Sequence, residues 1–221
     1  MLILNYSKSG LKRRECWFCD DKKYKRRFTR FFQSNLAPKT SILFGKKETL
    51  IIDLNDWTFS SIHKKTRYDI RRIQDLDSIK NINKWSQLTK NERAIIYKSY
   101  NDFAKDKNVT LINQERVEAA QHNIFYSFIQ MDSSFSYHIY IHDDKRVRLL
   151  YSWTLFDKES SIIFAGLNKL HTGLDINYAK ELNFKMYDFG GFSKSRMNGI
   201  DRFKSRFGGS SSIEFNYFSL L

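Results

Sequence analysis

Residues 187–209 read YDFGGFSKSRMNGIDRFKSRFGG, and four of the 9 glycines of the chain stand there in two pairs. Only glycine takes a positive φ without steric cost, so a glycine pair marks a sharp turn or a close backbone approach. Gly190-Gly191 follows an aromatic run that ends at Asp188 and Phe189, and Gly208-Gly209 follows a helix-like stretch from Gly199 to Phe207. The segment therefore reads as strand, loop and helix closed by a glycine cap. The rest of the chain must supply the sheet to which that strand belongs.

At 221 residues with a single proline (Pro38) and no Gly/Ser-rich linker, the chain reads as one domain over 1–221. Being 41% apolar and 28% charged, it is not a disordered chain. It has no apolar run of transmembrane length, and MLILNYSKSGLKRR lacks a signal-peptide core, so a cytoplasmic protein without membrane insertion is expected. Cys16 and Cys19 are too few and too close for a disulfide framework. The net charge of +14 calls for an anionic partner: nucleic acid, a membrane surface or a phosphorylated small molecule. Residues 12–30 carry nine Lys/Arg against three acids, interleaved with Trp17, Phe18, Tyr24 and Phe28. That mixture suits nucleotides, and equally a basic hairpin turning at Asp20-Asp21-Lys22.

Residues 49–54 read as a buried strand, and Phe59, Ile62, Thr66, Ile70 and Ile73 then recur at helical spacing. Thr89-x-x-Glu92 opens a helix with a capping box, turning Ile95, Ile96, Tyr100 and Phe103 inward. A further helix is expected from about Gln114 to Met131. Residues 135–142, 146–156 and 161–167 read as three antiparallel strands. A short helix from Thr172 to Leu182, a strand Phe184–Phe189, the Gly199–Phe207 helix and a last strand near 212–220 complete the order. The fold class is α/β (α+β), with one mixed, mostly antiparallel twisted sheet flanked by helices.

Three stretches resemble the GNAT acyltransferase superfamily, and within it the Fem-type aminoacyltransferases. LIIDL at 50–54 leading into KTRYDIRR at 65–72 is similar to a strand followed by K-x-R-Y-x-I-R-(R/K). Tyr187-Asp188-Phe189-Gly190-Gly191 resembles Y-D-(F/L)-G-G. Gly199 through Phe203-Lys204 to Phe207-Gly208-Gly209 resembles G-(I/L)-x-x-F-K-x-x-F-G-G. The anchored parts span about residues 50–209, leaving 1–45 as an N-terminal extension. Fem-type enzymes that use aminoacyl-tRNA usually carry two such domains, and this chain has room for one. The glycine-rich signature of ordinary acetyl-CoA enzymes is also absent, with Asn168 to Gly173 in its place.

The resemblance implies a sheet split between its fourth and fifth core strands, with the acyl donor in the gap and an amine attacking it directly. With 162–167 as the fourth strand, Phe164, Ala165, Gly166 and Leu167 line the donor arm of coenzyme A and Asn168 joins the catalytic set. His171, Thr172 and Gly173, at the start of the next helix, offer N–H groups to the pyrophosphate, and Phe203 packs on the cofactor. Asp188 either orients the acceptor amine or caps its own turn. Lys204, at the family's F-K position, stabilises charge at the reacting carbonyl or is a solvated helix lysine. Lys65, Arg67, Tyr68, Arg71, Glu115, Tyr187, Gly190, Gly191, Ser193 and Lys194 are the expected acceptor-site residues, with Glu118 a second candidate base. Arg67 and Arg71 lie one turn apart and could hold a diphosphate or pair with surface acids.

No metal is expected, since Cys16-x-x-Cys19 has no second pair and His138-x-x-x-His142 is remote in sequence. No nucleophile-elbow spacing is present. The expectation is an acyl-CoA-dependent N-acyltransferase acting on a nucleotide-linked amino sugar for surface polysaccharide. The alternatives are a Fem-like peptidoglycan-bridge aminoacyltransferase using charged tRNA and a non-catalytic nucleic-acid-binding module. Assembly as a homo-oligomer is compatible with all three.

Overall fold

The structure is a computed structural model that describes residues 1–20, 28–35, 42–156, 161–193 and 199–219. Four strands come first: β1 (Leu2–Lys8), β2 (Leu11–Trp17), β3 (Thr29–Ser34) and β4 (Ile42–Asp53). They are followed by α1 (Lys64–Arg71), β5 (Ile79–Lys84), α2 (Lys90–Asp106) and α3 (Gln114–Ala119). Three consecutive strands, β6 (Ile124–Met131), β7 (Ser134–His142) and β8 (Arg146–Leu155), lead into α4 (Ser161–Glu181). The chain closes with β9 (Met186–Gly191), α5 (Gly199–Ser205) and β10 (Ser210–Ser219). All ten strands join one sheet in the order β1-β2-β3-β10-β4-β9-β8-β7-β6-β5. Two of its ladders, β2–β3 and β8–β9, are parallel and the others antiparallel.

Period-two alternation divides the core between the two faces of the sheet. Phe125, Ile129, Tyr140, Val147, Tyr187 and Phe189 point to one face, where they meet Ile62, Ile70, Leu167, Leu170 and Phe207. Ile124, Tyr126, Ile139, Ile141 and Trp153 point to the other and pack on Ile96, Tyr97, Tyr100 and Val117 of α2 and α3. Thr89 and Glu92 form the expected capping box of α2. Ile95, expected inside, is 68% exposed, because Ile96 and Tyr100 already fill that face.

The sheet curls strongly. Adjacent strands lie ~4.8 Å apart, so a flat sheet would put β10 about 14 Å and β3 about 19 Å from β8. Yet Arg146 of β8 bonds Glu214 of β10, and Arg148 bonds Gln33 of β3. Bulges, which bend strands, interrupt β10 at Asn216/Tyr217 and the β4–β9 ladder at Thr49/Ile51. At Gln33 a φ of 58° breaks the alternation of β3. The curl carries β2 over to α3, where Arg116 grips the buried Glu15 with both Nε (2.9 Å) and Nη2 (3.0 Å).

Several sequence expectations change. Residues 161–167 are the first two turns of α4 and not a strand. The apolar run of a buried helix and that of a buried strand look alike until length decides, and here Leu170, Ile176 and Ala179 continue it at helical spacing. For the same reason Thr172 lies in mid-helix. The expected 114–131 helix ends at Ala119, and the aromatic IFYSFIQM forms β6. β2 and β3 run parallel, so they are not the two arms of a hairpin. The hairpin joins β1 and β2 instead, through Ser9 (φ 51°) and Gly10 (φ 77°), the paired positive φ of a type I′ turn. The expected turn residues Asp21 and Lys22 lie outside the described residues.

Gly209 starts the return to β10 at φ 96°, where an added Cβ would lie 2.5 Å from the Ile51 carbonyl oxygen. Gly199, at the start of α5, has open space around the same position. Gly209→Ala is therefore expected to lower unfolding stability by about 2 kcal/mol or more. Gly199→Ala should stay within ~0.5 kcal/mol of the parent, and urea unfolding midpoints check both.

Candidate active site

Val147 of β8 points into the core, so Arg146 and Arg148 on either side of it must share the opposite face. β9 does the same with Tyr187 and Asp188. The register Arg146↔Met186, Val147↔Tyr187, Arg148↔Asp188 brings these side chains together. Among the described residues the β8–β9 ladder ends there, while β8 runs on to Leu155. The sheet thus splits immediately beyond Arg148 and Asp188. This is the split that the resemblance implies, but its two walls are β8 and β9, not 162–167 and β9.

Asp188 is fully buried at the apex of the split. Its Oδ1 accepts from the Thr49 hydroxyl and the Gly190 N–H (2.7 Å). Its Oδ2 accepts from Arg146 Nη2 (2.5 Å) and Nε (3.2 Å) and from Arg148 Nη1 (2.6 Å). Burial pushes this carboxyl up, but Arg148 and Arg146, with the Thr49 and Gly190 bonds, hold it below the usual range. Its lone pairs are thus occupied, and Asp188 acts as the anchor of the apex. The Gly190 bond is that of the turn-capping reading. Gly190 has a φ of 79°, and an added Cβ would lie 3.3 Å from Arg148 Nη2.

Glu214 shares Arg146 through Oε1, whereas its Oε2 has no hydrogen-bond partner among the described residues. Burial raises it above the usual carboxylate range. The sequence reading missed Arg146, Arg148, Glu214, Thr49 and Gln33. Its one available signal was charge at alternate positions of an otherwise core-forming strand, Arg-Val-Arg. Lys204 reaches this region from α5, where its ammonium donates to the Gly191 carbonyl at the end of β9. Burial, followed by the repulsion of Arg148, pushes its pKa down.

The residues expected along a donor strand sit elsewhere. In α4, an added Cβ on Gly166 would lie 2.6 Å from Ile73 Cδ1, and one on Gly173 would lie 3.7 Å from Ile70 Cδ1. Both glycines thus serve the packing of α4 on α1, and Lys169 pairs with Asp69 beside them at 2.7 Å. Leu167 is core, and Thr172 is buried with its hydroxyl unpaired among the described residues. In mid-helix His171, Thr172 and Gly173 have no free N–H to offer a pyrophosphate. Phe164 and Ala165 are in the same helix. Phe203, partly buried, packs on Phe207 of the core, with ring centres 5.2 Å apart and the rings tilted by 59°.

The expected acceptor residues divide in the same way. Tyr187 is buried, its hydroxyl 2.9 Å from that of Tyr140. Arg67 caps the Ser60 and Ile62 carbonyls, and Arg71 lies over the Phe59 ring at 5.9 Å. Lys65 and Tyr68 are exposed on α1, and Glu115 is exposed on α3. Glu118 is engaged by Arg93, Tyr97 and Trp85. Gly191 is exposed at the mouth of the split and Ser193 follows it, half-buried. Lys194 lies outside the described residues.

Asn168 and His171 do meet, in a second buried cluster under α4. His138 Nδ1 lies 2.8 Å from Asp175 Oδ2 and its Nε2 lies 2.9 Å from Asn168 Oδ1. His171 bridges Ser127 (2.7 Å) and Ser136 (3.0 Å). The Tyr140 and Ser127 hydroxyls donate to Asp175, and Lys80 approaches it at 3.4 Å. Burial pushes His171 well below its ordinary value. The donor atoms of His138, His171 and Asp175 lie within 4.8 Å of one another. The two imidazoles, however, stack in parallel at 3.9 Å. A metal binds in the plane of each ring, and two parallel planes share no such point, so the geometry is that of a hydrogen-bonded network. Cys16 and Cys19 are buried, outside any disulfide, beside Phe31 and Tyr217.

Asp188→Asn leaves two buried arginines under-compensated and is expected to cost about 3–5 kcal/mol. Glu214→Gln keeps an acceptor for Arg146 and should cost about 1–3 kcal/mol. Urea unfolding at pH 7 separates the two. Because folding depresses Asp188, its contribution is complete above its unfolded value of 3.8 and is lost as pH falls through the folded one. The stability of Asp188→Asn should accordingly fall less steeply than that of the parent below pH 4.

No protein-family model matches the chain, and no curated protein does. Solved structures do share its arrangement. One is the C-terminal domain described as that of a lysylphosphatidylglycerol synthetase from Agrobacterium fabrum (TM-score 0.61, 10% identity, 86% of this chain and 67% of that one). L-PGS from Bacillus licheniformis gives a TM-score of 0.58 at 12% identity, over 87% of this chain and 68% of that one. FemX gives 0.60 at 11% identity, over 83% and 64%. The chain therefore spans about two thirds of the length of each. With its mixed, open sheet split between β8 and β9, the chain has a GNAT/Fem-like fold.

Proposed function

We propose that the protein transfers an aminoacyl group from charged tRNA to an amine. The observation that carries this reading is the split sheet with Lys204 and Gly191 at its mouth, in a fold shared with FemX, L-PGS and the C-terminal domain described as that of a lysylphosphatidylglycerol synthetase. A synthetase of that name joins an amino acid to a lipid, and the Fem-type resemblance of the sequence implies an aminoacyl-tRNA donor. The names of these three proteins mention neither acyl-CoA nor a nucleotide sugar. The activated acyl group is then an ester on the terminal ribose, not a thioester. The net charge of +14 suits a polyanionic donor.

In the reaction, the amine nitrogen attacks the ester carbonyl, forming a C–N bond and a tetrahedral oxyanion. Collapse breaks the C–O bond to the ribose, whose oxygen takes up a proton while the attacking nitrogen gives one up to restore the proton donor, and releases an amide and free tRNA. β8 beyond Arg148 and β9 up to Gly191 form the walls against which the ester lies. The Lys204 ammonium is the charge that meets the oxyanion, and its lowered pKa suits it to protonate the departing ribose oxygen. Arg148, Arg146 and Asp188 touch none of the reacting atoms. They fix the angle between the two walls, and Asp188 holds Gly190 so that Gly191 can hold Lys204.

Incubation with a panel of charged tRNAs and candidate amines should give amine-dependent release of free tRNA and a new amide. Lys204→Met should lower kcat by roughly 10²–10³-fold with the donor affinity unchanged. Thiol release from acyl-CoA with an amino-sugar acceptor, and no transfer from any charged tRNA, would sink the reading.

A further inference from the structure

The β1–β2 hairpin carries Lys8, Lys12, Arg13 and Arg14 and a single acid, Glu15. Glu15 is fully buried and committed to Arg116. No exposed acid of the hairpin therefore offsets these cations. An open groove of about 490 Å³ runs along it, lined by Asn5, Ser7, Lys12, Arg13, Arg14 and Phe28. The register pairs Asn5 with Arg14 and Ser7 with Lys12, so these four share the face turned away from α3. Arg14 is steadied by Asn5 (Nε to Oδ1, 3.0 Å).

Phe28 closes one end of the groove. It is 67% exposed, yet it is braced by Phe218, with ring centres 6.4 Å apart. Its φ is 52°, a conformation that a bulky residue adopts only when its surroundings hold it there. A solvent-facing aromatic ring beside Lys12 and Arg14 has the make-up of a site for single-stranded nucleic acid, where bases stack on rings and phosphates pair with cations. A lipid surface fits less well, because the cations and the ring line a concavity, whereas a flat bilayer meets a protruding face.

We infer that this groove binds single-stranded nucleotides of an RNA, and, resting on the reading above, that it docks the tRNA donor on the N-terminal strands. Binding of uncharged tRNA is measured by fluorescence anisotropy between 50 and 200 mM salt. Lys12→Glu/Arg14→Glu should weaken it at least ~10-fold and flatten the log–log salt slope by about 1.4, two single-strand phosphate contacts. Phe28→Ala should weaken it roughly 5–100-fold, the loss of one stacked base, with the slope unchanged. Variants that bind tRNA like the parent, with native circular dichroism, overturn the proposal. So does a defect seen only with phosphatidylglycerol vesicles, which assigns the surface to membrane. If no charged tRNA supports transfer but the variants lose RNA binding, the functional reading falls and the groove stands. If transfer occurs and the variants keep the parental KM for charged tRNA, the groove falls and the function stands.

Discussion

The arrangement depends on one buried arginine–carboxylate network. Arg146 bridges Asp188 of β9 and Glu214 of β10, and Arg148 joins Asp188 to Gln33 of β3. These strands are separated in the sheet order by β4 and by one another, so the network closes only if the sheet curls. Burying two ion pairs is not a strong source of stability, because desolvation offsets most of the attraction. What the network supplies is selection. A flat sheet would leave both arginines to share Asp188 alone and the buried Glu214 without a cation, at a cost of several kcal/mol. The curled sheet is the arrangement that satisfies them, and it sets the angle at which β8 leaves β9.

The curl also explains where the N-terminal strands go. β1 and β2 extend the sheet past β3 and swing over α3, where Glu15 receives Arg116, Tyr6 and Trp17. The N-terminal amine reaches Asp143 at the β7–β8 turn, 2.5 Å away. The first strand of the chain is thus tied to the turn that precedes Arg146. The extension expected at 1–45 is part of the sheet itself, and its outer face is the cationic groove.

The split site was legible where a local rule and a fold-level pattern agreed. Tyr187-Asp188-Phe189-Gly190-Gly191 needed only strand alternation and a positive φ at Gly190, and both are present. Phe203-Lys204 to Gly208-Gly209 was legible for the same reason. The failures occurred where a periodicity was shared by two structures. Ile162-Ile163-Phe164-Ala165-Gly166-Leu167 is apolar at every position, which a buried strand and a helix buried on most sides satisfy equally. Val117, Ala120, Ile124 and Phe128 have helical spacing, yet the last two belong to a strand. Neither Arg146 nor Glu214 could be paired from sequence, because their meeting depends on a curl produced by bulges and by Gln33.

Once β8 and β9 are recognised as the walls, the chemistry acquires a structural cause. A strand in mid-sheet normally spends its backbone N–H and C=O groups on both neighbours. Beyond Arg148 the ladder to β9 ends, while the pairing of β8 with β7 continues to Leu155. Among the described residues, that leaves one row of backbone groups turned towards the gap. A polar row of this kind inside a folded domain must be met by water, by another chain or by a bound molecule. On the proposed reading, an aminoacyl ester laid in the gap brings an ester carbonyl, an α-amino group and ribose hydroxyls to meet it. The curl that the network selects thus goes with the open row, and in the proposed reaction Lys204, held by Gly191, stands at the end where the reacting carbonyl would emerge.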